Sequence, residues 1–223
     1  MEITVAGRAT ASLPPERATV HLSVAFEGPE PQGVLQRTSH VVNQVTAHLD
    51  QLKAIDPSPT TWSSVQPIRT RTWRPYSDKG KVTALVYTAA CSIQVKFSDI
   101  GALSAFVDGW GGSDGVTIGA VHWALTDQTR TAQEGKVLRE AVANARDRAT
   151  TIADAAGGSQ VYVLEVADPG LLGGQRASTS SPPYAASTRA GAPGAPSGAG
   201  PIEVTPQDID VHAVVHVRFA TDS

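Results

Sequence analysis

Apolar and polar residues alternate strictly from Ala18 to Phe26. Ala18, Val20, Leu22, Val24 and Phe26 share one face, and Thr19, His21, Ser23 and Ala25 share the other, the period-two signature of a half-buried strand. The period then changes: Val34, Leu35, Val41, Val42, Val45, Leu49 and Leu52 fall on one helical stripe, which Asp56-Pro57 and Pro59 bring to an end. Two strands, roughly Trp62 to Trp73 and Lys81 to Phe97, flank the turn-rich Pro75, Ser77, Asp78, Lys79 and Gly80 and read as a hairpin. Ser98 or Asp99 caps a shorter helix with Leu103, Phe106, Val107 and Trp110 on its apolar side, and Val116 to Leu125 forms the next strand. The order β-α-β-β-α-β predicts an α+β fold with a ferredoxin-like core, an antiparallel sheet with two helices on one face.

A long alanine-rich helix follows. Val137, Leu138, Ala141, Val142, Ala145, Ala149, Ile152, Ala153 and Ala156 form its apolar stripe, and Arg139, Glu140, Arg146, Asp147, Arg148 and Asp154 lie opposite. Thr131 with Glu134 has the form of a capping box, and Gly157-Gly158 supplies the stop. This helix and two further strands, Val161 to Val166 and Ile209 to Phe219, are expected to extend the core. Between those strands, residues 169–201 are dominated by Gly, Pro, Ser and Ala, with Leu171, Leu172 and Tyr184 as the large apolar groups, too few to offset the entropy of ordering. The expected organisation is a single α+β domain from 1–168 and 202–223, interrupted by a flexible insert at 169–201.

Several segments resemble the SIMPL-domain family of bacterial and animal proteins. ITVAGRATASLPPERATVHLSVAFEG is similar to the family's opening, a strand with V-x-G-x-A and a Pro-x-x-A turn into an alternating strand. YTAACSIQVKF at Tyr87 to Phe97, the Ala-Arg-x-Arg-Ala end of the long helix, and DVHAVVHVRF at Asp210 to Phe219 resemble its later elements in the same order. The resemblance implies homo-oligomerisation, in some bacterial relatives into ring- or channel-like assemblies, and an association with envelope or oxidative-stress tolerance. It also implies protein binding, since the animal relatives are adaptors that bind a kinase.

Composition narrows the classes. With 223 residues, 41% hydrophobic and 17% charged, the chain has material for a sizeable core. A net charge of −3 argues against a general nucleic-acid or anionic-membrane binder, leaving only local patches for such contacts. The single cysteine, Cys91, excludes an intramolecular disulfide, and its position on the Leu85, Tyr87, Ala89, Ile93, Val95, Phe97 face reads as a buried structural thiol. No stretch reaches the roughly 20 apolar residues of a membrane-spanning helix. The chain runs from Met1 straight into ITVAGRA without a basic and apolar leader, so the expected location is the cytoplasm, with a removed leader as the alternative because many bacterial relatives are exported.

Candidate chemistry is sparse. Gly111-Gly112-Ser113-Asp114-Gly115 spells the nucleophile-elbow pattern but follows a helix and precedes a strand, the reverse of the order that exposes a serine, so it reads as a turn. His21, His122, His212 and His216 fall on predicted strands. Asp210 and His212 share a face there, yet residues two apart on one strand need a neighbouring strand to complete a metal site. His40 and His48 stand too far apart on their helix to share an ion.

The strongest binding candidate is the hairpin carrying Arg69, Arg71, Trp73, Arg74, Tyr76, Lys79 and Lys81, where cations alternate with aromatics. It lacks the motif of RNA-recognition domains, and edge arginines also serve to keep sheets apart. The expected function is therefore non-enzymatic: homo-oligomeric assembly and protein binding, with no cofactor. Two alternatives stand beside it, single-stranded RNA or acidic-partner binding through the hairpin, and a histidine-based metal hydrolase.

Overall fold

The computed structural model describes residues 1–75, 83–172 and 205–222. Tyr76, Lys79 and Lys81, and residues 173–201 of the expected insert, lie outside them. The fold is mixed α+β, and among the described residues all strand pairs are antiparallel and gathered in two sheets. The described residues divide into two compact units, one from 1–15, 125–172 and 207–222, the other from 16–124 with 205 and 206.

The unit at 16–124 begins with the strand read from alternation. Strand β2 (Arg17–Gly28) buries Ala18, Val20, Leu22, Val24 and Phe26, as the sequence pattern predicts. Helix α1 (Pro31–Lys53) buries Val34, Val42, Val45 and Leu49 against it. Thr38 sits in the same stripe, fully buried, and its hydroxyl donates to the carbonyls of Val34 and Ala89, which lets a polar group occupy a core position. The stretch expected as one strand from Trp62 to Trp73 is two, β3 (Thr60–Val65) and β4 (Arg69–Trp73), interrupted at Gln66-Pro67. Proline has no N–H for the ladder, and both pieces pair with β5 (Val86–Phe97), β3 along Ile93–Phe97 and β4 along Val86–Ala90. Asp99 is the cap of helix α2 (Ile100–Gly111), its carboxylate accepting from the Ala102 N–H at 3.1 Å. Strand β6 (Val116–Ala124) completes the sheet in the order β3-β5-β2-β6. The inward rows of β2 and β5 and the apolar sides of α1 and α2 form its core.

The other unit corrects two expectations. The last helix and strands do not lengthen that sheet; with strand β1 (Glu2–Leu13) they build their own. Strands β7 (Val161–Ala167) and β8 (Ile209–Thr221) join β1 in the order β1-β8-β7, under helix α3 (Asp127–Ala155). The helix also starts earlier than the Thr131–Glu134 pattern predicts: Thr126 caps it, its hydroxyl accepting from the Thr129 N–H. A cap is fixed by where the chain leaves the preceding strand, and β6 ends at Ala124. Ile209, Val211, Ala213, Val215, Val217 and Phe219 alternate into the core, where α3 presents Val137, Ala141, Ala145, Ala149 and Ala153, all fully buried. Ile152, placed on the stripe by spacing, is 44% exposed.

Candidate functional site

Strand β4 is exposed along its whole length and carries three of the predicted binding residues. Cross-strand partners share a face, so Arg69 opposite Ala90, Arg71 opposite Thr88 and Trp73 opposite Val86 stand on the face turned away from α1 and α2, whereas Thr70 and Thr72 stand with buried Ala89 and with Tyr87 on the helix side. Arg74 follows the strand and is exposed.

The structure adds two residues to this face. Trp62 on β3 pairs with Lys96 on β5, and Lys96 in turn pairs with Thr19 on β2. Neither Trp62 nor Lys96 stands out in the sequence, because only the pairing register puts them on the face of Arg69 and Arg71. Trp62 is 48% and Trp73 41% exposed, so both rings are open to a ligand. Between the two ends lies a floor of small side chains: Thr88, Ala90 and Ser92 on β5, and Ser23 and Ala25 on β2.

The remaining candidates resolve differently. Ser113 lies in a turn, its N–H donating to the Trp110 carbonyl and its carbonyl accepting from Val116. It shares a shallow depression with Arg37, His40 and Asp114, but no hydrogen bond joins Ser113 to His40. Arg37 instead pairs with Asp114 at 3.1 Å and lies over the Phe26 ring, 4.4 Å from its centre. His21 and His122 meet edge to face on β2 and β6, their ring centres 5.1 Å apart. His48 accepts through Nδ1 from the Trp110 indole at 3.0 Å and stacks on Phe106, a packing role for a residue that the sequence leaves unassigned. Asp210 accepts from the Ser12 hydroxyl at 2.7 Å. Among the described residues no three His, Cys, Asp or Glu side chains gather as they would around a metal ion.

Cys91 is buried as expected, and its thiol donates to the Gln66 carbonyl at 3.0 Å, where the outer strand is broken between β3 and β4. Burial pushes its pKa above the ordinary thiol value. The thiol is thus held protonated and packed, the opposite of a nucleophile's environment.

A second exposed surface lies on β7. Tyr162, Val163, Leu164 and Val166 are each about half exposed, and β7 is an outer strand of its sheet. Its one charged residue, Glu165, is engaged by Arg218 of β8 at 3.6 Å.

A family model matches residues 3–219, that of SIMPL, described as a protein of unknown function (DUF541). The chain belongs to the SIMPL family. Its match runs through both units, so the SIMPL pattern includes β1 and β8 as well as the sheet that bears the arginines. A search of curated proteins finds no match to the SIMPL chain. Among the described residues no helix is long and apolar enough to cross a membrane.

Proposed function

We propose that this SIMPL chain acts by assembly with further copies of itself and by binding protein partners, without chemistry of its own. The observation that carries the reading is β7. Sheets ordinarily guard an outer strand with charge, proline or a covering element. The opposite outer strand of the same sheet, β1, follows that rule with exposed Glu2, Thr4, Arg8, Thr10 and Ser12. Strand β7 instead exposes Tyr162, Val163, Leu164 and Val166, and its single carboxylate is engaged by Arg218. Burying one such Val or Leu side chain is worth about 1.5–3 kcal/mol, so an exposed row of them favours contact with another apolar surface. A second copy presenting the same strand about a twofold axis would meet it antiparallel and continue the ladder.

A ferredoxin-like arrangement for 16–124 belongs to the same reading, supported by the strand order β3-β5-β2-β6 and by α1 and α2 on one face. So does a link to stress tolerance, which rests on the family resemblance alone. The test is absolute mass by light scattering across a concentration range. A discrete multimer that falls to smaller species in Leu164→Lys supports the proposal. A monomer at all concentrations rules it out.

A further inference from the structure

We propose that the helix-free face of the β3-β5-β2-β6 sheet is a docking platform for single-stranded nucleic acid, with Arg69, Arg71 and Lys96 meeting phosphates and Trp62 and Trp73 stacking bases. This face is distinct from β7, and its charge needs no second copy. The whole chain is slightly acidic at −3, yet this face gathers cations, and Glu27, opposite Thr88 at its margin, is the only carboxylate that the described strands place there. A net charge sums over all surfaces, whereas a polyanion responds to the local field within about 8–10 Å at ordinary salt. The segregation therefore outweighs the total.

The rest of the face favours nucleic acid over a packed protein layer. Its floor of Thr88, Ala90, Ser92, Ser23 and Ala25 offers little apolar area for a hydrophobic interface, but small side chains allow close approach. Two half-exposed indoles stand at opposite ends, Trp62 beside Lys96 and Trp73 beside Arg71. From Lys96 to Val86 the strand runs roughly 33 Å at about 3.3 Å per residue, room for several nucleotides between the two rings. Aromatic platforms flanked by cations bind single strands with little sequence preference, because every base has a face to stack. A duplex hides those faces, so the platform discriminates against it.

The test is fluorescence anisotropy of the full chain with labelled dodecamers of deoxythymidine and uridine, and with the corresponding duplex, from low to physiological salt. Single strands are expected to bind more tightly than duplex, with log affinity falling as log salt rises by about 0.7 per phosphate neutralised, hence a slope near −2 for the three cations. Arg69→Ala with Arg71→Ala should flatten that slope, and Trp62→Ala or Trp73→Ala should weaken binding roughly fivefold or more while leaving the slope unchanged. All four positions are exposed, and unchanged circular dichroism and unfolding midpoints establish that the variants fold. Absence of binding at low salt overturns the proposal. So does equal competition by a polyglutamate peptide together with indifference to both tryptophan substitutions, which would assign the face to an acidic protein.

Discussion

Gly7 on β1 lies against Ala145 on α3 so closely that a Cβ placed on the glycine would stand 2.7 Å from the alanine Cβ and would also meet the Ala141 carbonyl. The contact explains why a long helix is built on alanine. Ala141, Ala145, Ala149 and Ala153 are all fully buried, and only small side chains let the helix descend onto the sheet at this spacing. Gly7→Ala forces α3 away from β1, and overpacking of this kind costs roughly 1–3 kcal/mol. The expected outcome is a lowered urea midpoint with an unchanged slope, and a larger loss for Gly7→Val. An unaltered midpoint in Gly7→Ala would show that α3 moves freely.

Gly115 has a different reason to be glycine. Its φ of +73° is one that side chains disfavour, and a Cβ there would lie 2.7 Å from Cε1 of the Phe26 ring. The turn Ser113 to Val116 aligns β6 with β2, since the Ala25 N–H donates to the Gly115 carbonyl at 2.8 Å. Gly115→Ala should destabilise by more than the roughly 1–2 kcal/mol of left-handed strain alone, because Phe26 must also move. Thermal unfolding of that variant beside Gly112→Ala, where a Cβ meets open space, measures the difference.

Much of this architecture is legible in the sequence, for identifiable reasons. Strict alternation in β2 and β8 and the helical stripes of α1 and α2 report burial directly, since each face meets one environment; Leu35, on the α1 stripe by spacing, departs from it at 41% exposed. The partition into two sheets is not legible, because β1 and β8 pair across nearly the whole chain, Glu2 opposite Ala220, and no local pattern encodes that. The break at Gln66-Pro67 follows from proline's missing N–H, but apolar Val65 and Ile68 on either side let the stretch read as one strand. At the candidate face, Arg69, Arg71 and Trp73 can be read from their alternation, whereas Trp62 and Lys96 join them only through the register with β5.

The two threonines near the start of α3 separate sequence pattern from structure. Thr126 accepts from the Thr129 N–H, so Thr126→Ala should cost about 1 kcal/mol, in the usual range for a lost cap. Thr131 is exposed within the helix, and Thr131→Ala should leave stability unchanged or raise it by a few tenths of a kcal/mol. Chemical denaturation of both variants settles the order, and a larger loss at Thr131 would restore the capping box to that position.

Cys91 makes a prediction about alkaline stability. Burial raises its pKa in the folded state, so the native protein holds this proton more tightly than the unfolded chain does. Its contribution is fully present below the unfolded thiol value of about 8.5 and fades as the pH rises toward the folded one. Unfolding free energies between pH 7 and 10 should fall more steeply for the native chain than for Cys91→Ala. In the same samples, a thiol reagent should label Cys91 only as fast as the protein opens.

The contrast between β1 and β7 gives the sharpest test of assembly, because both are outer strands of one sheet and differ mainly in what they expose. Thr4 on β1 is exposed among polar neighbours, so Thr4→Lys should change neither mass nor stability by a measurable amount. Val163 is 48% exposed, and lysine there also adds a charge to a strand whose only carboxylate is already engaged. Val163→Lys should therefore leave the protomer's unfolding slope intact while shifting the concentration-dependent mass toward the monomer. If the two variants shift the mass equally, the edges are equivalent and the apolar row on β7 is not the contact. If Val163→Lys lowers stability at concentrations where the native chain is already monomeric, β7 contributes to its own unit, and the exposed row belongs to folding rather than to a second copy.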